Sequence, residues 1–293
     1  MQEAEVLERL VAWGEAQPTV LALILTSSRA RPDGAVDVLS DHDLILVATD
    51  PERFAKDRAW ESDHGEPMVR WGDQGEVFGL TTYFRGLVYA DGTKIDYTIW
   101  PEALLEQVAQ EPALPDELDV GYRVLLDKDG RTSRWKPPVY KAHIPAKPTE
   151  LEYRDLVEEF WWSMTYVAKS LWRDELVFNR FILEQDIRAG TLRVMLDWRI
   201  EIDRDWSLKP GWFGRGLKQL LPPETWSELE STYVGPDSEE NWEALFRLTA
   251  LFRGVAREVG ELLGYEYPQK VDDQVTAYLE GVRKLPNARP LRR

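Results

Sequence analysis

The sequence predicts an α+β protein: a mixed-sheet domain over residues 1–145, followed by a helical domain over residues 146–293. Two observations lead there. The first half strings short apolar runs between Gly, Pro and Asp turn signals, whereas the second half repeats its apolar residues at helical spacing. Between them Lys136 to Pro148 reads Lys-Pro-Pro-Val-Tyr-Lys-Ala-His-Ile-Pro-Ala-Lys-Pro, which no regular helix accommodates. The domain boundary is placed in that segment.

The elements follow in order. Glu3 to Glu15 reads as an amphipathic helix with Val6, Leu7, Leu10 and Val11 on one stripe, ended by Pro18. A strand from Val20 to Thr26 comes next, then a loop from Arg29 to Leu39 with a Pro32-Asp33-Gly34 turn signal. Leu44 to Thr49 is a second strand. Asp50-Pro51 then starts a helix, expected from Phe54 to Trp60. Met68 to Trp71 is a further strand. Phe78 to Ala90 and Thr93 to Ile99 pair as a hairpin through the tight turn Asp91-Gly92. Trp100-Pro101-Glu102 opens a helix through Gln110, and Tyr122 to Asp127 is another strand, closed by Asp127-Lys-Asp-Gly130. Beyond the Pro-rich segment, Thr149-Glu-Leu-Glu152 fits a capping box at the head of a helix running past Trp172. Further helices are expected at Gln185 to Asp203, Pro223 to Thr232, Glu239 to Leu263 and Val271 to Arg283.

Composition narrows the partners. A hydrophobic fraction of 43%, with 13 Trp, 11 Tyr and 9 Phe, supports a sizeable core in 293 residues. The absence of Cys excludes disulfide scaffolds and Cys-ligated zinc and is compatible with a reducing cytoplasm. No run approaches the about 20 apolar residues that span a bilayer, so a cytoplasmic location and no membrane partner are expected. With 36 Lys and Arg against 52 Asp and Glu, the net charge of −16 offers no basic stripe for a phosphate backbone, and nucleic acid is not an expected substrate. An acidic field instead concentrates cationic small molecules.

The chemistry centres on Thr26-Ser27-Ser28-Arg29 and the Ser40-Asp41-His42-Asp43 that leads into the apolar run Leu44 to Ala48. Strand alternation sends Asp41 and Asp43 to one side and His42 to the other. In Lys94-Ile95-Asp96-Tyr97-Thr98 the same alternation gathers Lys94, Asp96 and Thr98 on one face. Asp-x-Asp alone most often marks a solvated strand end. Here a small-hydroxyl turn precedes it and a lone Asp on a later strand follows. Three converging carboxylates repel unless something cationic sits among them, and hard oxygen ligands beside a phosphate site suit Mg²⁺. The pattern points to a metal-dependent phosphoryl or nucleotidyl transfer centre. The three histidines, His42, His64 and His143, are too scattered for a metal cluster.

In the helical half, Leu156, Phe160, Met164, Val167 and Leu171 form the expected buried stripe at about 100° per residue. Glu158, Trp162, Thr165, Tyr166, Lys169 and Arg173 fall on the other side. For most helices such a face is simply solvated, with i,i+4 pairs. The adjacent Trp161 and Trp162 argue otherwise, since one of them must lie outside the core stripe.

The order Ser-Arg, Asp-x-Asp, lone Asp resembles the nucleotidyltransferase superfamily. That family usually writes its turn Gly-Ser, and the Gly position here is Ser27. Asp91-Gly-Thr-Lys-Ile-Asp96, Glu159-Phe-Trp-Trp162, Thr165-Tyr-Val-Ala-Lys169, Arg173-Asp-Glu175, Met195-Leu-Asp-Trp198, Ser231-Thr-Tyr233 and Gly264-Tyr-Glu-Tyr-Pro268 are similar to the aminoglycoside 6-adenylyltransferases, over nearly the whole chain. The resemblance implies a nucleotidyltransferase domain, then a helical acceptor-binding domain, and transfer of AMP from ATP to a hydroxyl of streptomycin with release of pyrophosphate. It implies two Mg²⁺ ions on Asp41, Asp43 and Asp96, with Asp96 the first candidate for general base. Ser27, Ser28, Arg29, Lys169 and Arg173 would contact ATP, and Glu158, Glu159, Trp162 and Tyr166 the cationic acceptor. Glu158 or Glu159 is the second candidate for base. Another small cationic acceptor, and a non-catalytic nucleotide-binding homologue, remain open alternatives.

Overall fold

Alternating apolar residues, not isolated propensities, decide how the first half assembles. The computed structural model describes residues 3–31 and 34–286 and divides the chain into two compact units, Met1–His143 and Ile144–Arg293. Pro32 and Asp33 of the expected turn lie outside the described residues.

The first unit is built on a six-stranded sheet of order β3-β4-β5-β2-β1-β6. Its strands are β1 (Val20–Thr26), β2 (His42–Ala48), β3 (Pro67–Val77), β4 (Leu80–Tyr89), β5 (Lys94–Pro101) and β6 (Tyr122–Asp127). The β2–β5 pair is parallel and the remaining pairs are antiparallel, so the sheet is mixed. Both faces of its centre are covered, which is why β2 reads as an unbroken apolar run. Leu44 and Leu46 join Ile95, Tyr97, Ile99 and Leu87 against helix α1 (Glu3–Ala16), which contributes Val6, Leu10 and Trp13. On the opposite face Ile45, Val47 and Trp100 pack on helix α3 (Ala103–Gln110) through Leu104, Leu105 and Val108. Asp43 and Asp96 point to this second face.

Several element boundaries differ from the expectations. Asp50 accepts a hydrogen bond from the Arg53 N–H, so helix α2 begins at once (Pro51–Lys56), and only a short 3-10 turn follows at Ala59–Ser62. The start signal read at Asp50-Pro51 therefore holds, with Asp50 as N-cap, whereas the run expected from Phe54 to Trp60 is placed too late. The expected strand from Phe78 to Ala90 also starts too early, because Phe78 (φ 49°) and Gly79 (φ 77°) form the turn of a β3–β4 hairpin. Phe tolerates that left-handed position because its ring packs against the α3-side core. β3 is consequently an edge strand of 11 residues, exposed along all but its ends. Trp100 and Pro101 still belong to β5, and α3 starts after them. A short helix α4 (Asp116–Asp119) precedes β6.

The second unit is helical. Its first helix, α5 (Glu150–Trp172), opens on the capping box: the Glu152 N–H donates to Thr149 Oγ1 at 3.2 Å and the Thr149 N–H donates to Glu152 Oε2 at 2.7 Å. It stops at Trp172 rather than running on, with Arg173 as its C-cap. Helix α6 (Leu176–Phe181), a π-helical stretch (Ile182–Leu192) and α7 (Arg193–Ile202) follow without a break, so this helical segment begins well before the expected Gln185. Short α8 (Leu217–Leu220), α9 (Pro223–Ser231), α10 (Ser238–Leu263) and α11 (Gln269–Arg283) complete the unit. The core is centred on α5 and α10, where the Phe160 and Phe252 rings stack at 3.6 Å. No helix among the described residues is long and apolar enough to cross a membrane.

Candidate active site

Sheet register brings the acids together. Leu25 of β1 lies opposite Leu44 of β2, so the chain leaving β1 turns beside Asp43, and Asp43 pairs across the parallel ladder with Asp96. The turn is a 3-10 helix, Ser27–Ala30. Ser27 has φ 61°, a left-handed conformation that costs a non-glycine residue roughly 1 kcal/mol. The backbone thus takes a shape that glycine adopts without penalty, although the residue there is serine. The nearby Ser27 hydroxyl works to lower the Asp43 pKa.

Lys94 completes the cluster. Its Nζ donates to Asp41 Oδ2 at 2.6 Å and to Asp96 Oδ2 at 2.9 Å, an ammonium held between two of the three carboxylates. Partial burial works against that charge, but the two hydrogen bonds outweigh it and raise the Lys94 pKa. Burial pushes the Asp43 carboxyl up to about 6, with repulsion from Asp96 and then Asp41 adding to it. Asp96 is raised as well, first by burial, with Lys94 opposing.

Arg29 has a different geometry from a free phosphate ligand. Its guanidinium donates to the carbonyls of Asp41 (2.9 Å) and Ser40 (2.7 Å) and to Glu3 Oε2 (2.9 Å). Those bonds set the position of the loop that presents Asp41.

Among the described residues no three acid or histidine side chains stand in ligating geometry as they are arranged here, and Lys94 takes up the space between Asp41 and Asp96. The residues nonetheless fit a hard divalent cation. The donors are all carboxylate oxygens, and Asp96 Oδ1 is buried with no hydrogen-bond partner. Gly86 lies against it, and a Cβ there would crowd Asp96 Oδ1 at 3.1 Å.

The other expected site residues lie in the helical unit. Trp161 is buried and donates from Nε1 to the Tyr267 hydroxyl at 3.1 Å, while Trp162 is 61% exposed. Trp162 meets the Tyr166 ring edge-on at 4.8 Å, and the Lys169 ammonium sits 4.1 Å over the same ring. This face of α5 is therefore an ordered stack. Glu158 and Glu159 are exposed, and Glu159 borders a cavity of about 350 Å³ with Glu152, Asp155 and Trp198. Arg173 is exposed at the helix end.

Lys94 had no role assigned from the sequence. A signal existed, since it shares a face with Asp96 two residues on, but only the position of Asp41 shows that it bridges two acids.

Fold and cluster together define a class: an α+β protein with a sheet-borne triad of aspartates facing a serine turn, joined to a helical unit. The family described as streptomycin adenylyltransferase matches residues 1–282. An aminoglycoside 6-adenylyltransferase of Bacillus subtilis (strain 168) is 30% identical over 284 residues, covering 96% of this chain and 97% of the relative. One of Campylobacter jejuni is 29% identical, covering 94% of each. A crystal structure of an aminoglycoside 6-adenyltransferase from Bacillus subtilis superimposes with a TM-score of 0.48 at 27% identity, covering 97% of this chain and all of that one. The chain belongs to the streptomycin adenylyltransferase family.

Proposed function

We propose that the protein transfers AMP from ATP to a hydroxyl of an aminoglycoside, with streptomycin the acceptor of choice, and releases pyrophosphate. Residues 1–145 act as the nucleotidyltransferase domain and residues 146–293 as the acceptor-binding domain. The observation that carries this reading is the meeting of Asp41, Asp43 and Asp96 beside the Ser27 turn, in a chain of this family.

Ser27 and Ser28 receive the triphosphate at the end of β1, and Arg29 keeps the Asp41 loop in place. Asp41, Asp43 and Asp96 would hold two Mg²⁺ ions, whose chemistry is to offset negative charge on the α-phosphate and the leaving pyrophosphate. The acceptor oxygen forms the new bond to the α-phosphorus as the bond to the bridging oxygen of pyrophosphate breaks. Asp96 takes the hydroxyl proton as the new bond forms. Lys169 and Arg173 are the ATP contacts that the resemblance to this family implies. Glu158, Glu159, Trp162 and Tyr166 bind the cationic groups of the acceptor, by carboxylate pairing and by aromatic faces.

The test is pyrophosphate release with ATP, Mg²⁺ and streptomycin, with mass spectrometry of the product. A streptomycin heavier by one AMP is expected from the wild type, and Asp43→Asn should lower the rate at least about a hundredfold. Wild-type turnover by Asp43→Asn would remove the aspartate cluster from the chemistry.

A further inference from the structure

One row of the sheet runs beyond the aspartates. Asp43 on β2 lies beside Asp96 on β5, Asp96 beside Gly86 on β4, and Gly86 beside Trp71 on β3. Residues directly opposite one another across a ladder share a face, so Trp71 stands on the same side of the sheet as the carboxylates. Phe84, two residues before Gly86, shares that face and meets Trp71 ring to ring at 5.4 Å. Gly86 lets the Phe84 ring edge and Asp96 meet over it: a Cβ there would be crowded, 3.0 Å from the Phe84 ring and 3.1 Å from Asp96 Oδ1. The Trp71 side is open, since Trp71 is 62% exposed and Val69, on the neighbouring row, 56%.

Direction along this row separates the two substrates. Sheet order places the Ser27 turn on the β1 side of the aspartates and Trp71 on the β4–β3 side. In an in-line transfer the attacking oxygen and the leaving pyrophosphate lie on opposite sides of the α-phosphorus. With the triphosphate at the Ser27 turn, the acceptor comes from the β3–β4 side.

We propose that Trp71 and Phe84, on the same sheet row and face as Asp96, form an acceptor subsite that binds a hydroxyl-bearing polycationic sugar. The inference rests on the adenylyl-transfer reading above and concerns a surface of the sheet unit alone. Aromatic faces attract ammonium and guanidinium groups, and Asp73, on β3 in register with Phe84, carries complementary charge. The one Lys or Arg on the same face of β4 and β5 is Lys94, and it is paired to Asp41 and Asp96.

Streptomycin binding to the full-length protein by calorimetry without ATP, together with steady-state KM values for streptomycin and ATP, tests the subsite. Trp71→Ala should raise the streptomycin Kd and KM roughly three- to thirtyfold, leave the KM for ATP unchanged, and keep kcat. Trp71→Phe, which keeps an aromatic face and a foldable edge strand, should restore most of the affinity. An unchanged streptomycin Kd in Trp71→Ala, with the wild type active, overturns the subsite alone. A rise in the KM for ATP instead identifies an adenine platform and also overturns it. A wild type that neither binds nor adenylylates streptomycin overturns the functional reading itself, and the subsite with it.

Discussion

Asp43 carries a thermodynamic cost in the folded protein. Burial and two neighbouring carboxylates raise its pKa from 3.8 to about 6, so the folded protein holds that proton more tightly than the unfolded chain does. Below pH 4 both states are protonated and nothing is lost. As pH rises toward 6 the unfolded chain ionises first, and stability falls until both states are charged. Two pKa units correspond to about 2 kcal/mol once solvent screening is allowed for. Asp43→Asn should therefore raise the thermal midpoint of the metal-free protein at pH 7, with the gain fading as the pH falls to 4. Melting curves across that range check it. A variant that is dead in turnover yet more stable is the expected sign of a site assembled against its own electrostatics.

At the scale of elements, capping and turns decided the boundaries. The Thr149–Glu152 box is legible in four residues because both of its hydrogen bonds are local. Thr149→Ala should cost about 1 kcal/mol, read as a lower denaturation midpoint with an unchanged denaturant slope. The β3–β4 hairpin was not legible, for a definite reason. Its turn is Phe78-Gly79 in place of the Asn-Gly or Asp-Gly that signals such a bend, and Phe78 is held at positive φ by core packing from elsewhere in the unit. The exposed strand β3 shows no one-sided apolar pattern, because its interior residues have no buried face.

At the scale of the whole molecule, the net charge of −16 opposes nucleic acid and favours a cation. Long-range attraction of this kind is screened over about 8–10 Å at physiological salt. The KM for streptomycin should therefore rise as NaCl is increased from roughly 50 to 500 mM at fixed Mg²⁺, with less effect on kcat, as steady-state assays would show. A salt-independent KM would leave recognition to short-range contacts alone.

The sequence by itself determined the α+β class, most strand and helix positions and the three aspartates, because alternation, helical periodicity and caps are properties of neighbouring residues. Asp41 and Asp43 could be read as a pair from their two-residue spacing, and the exposure of one of Trp161 and Trp162 from the helical wheel. Only tertiary structure decided that Lys94 bridges Asp41 and Asp96, that the Arg29 donors are taken up by the Ser40–Asp41 loop and Glu3, and that Trp71 shares a row with the aspartates. Each of those depends on strand register between segments distant in the chain. Register is set by how two sheet faces bury their apolar sides, and no single segment contains that information.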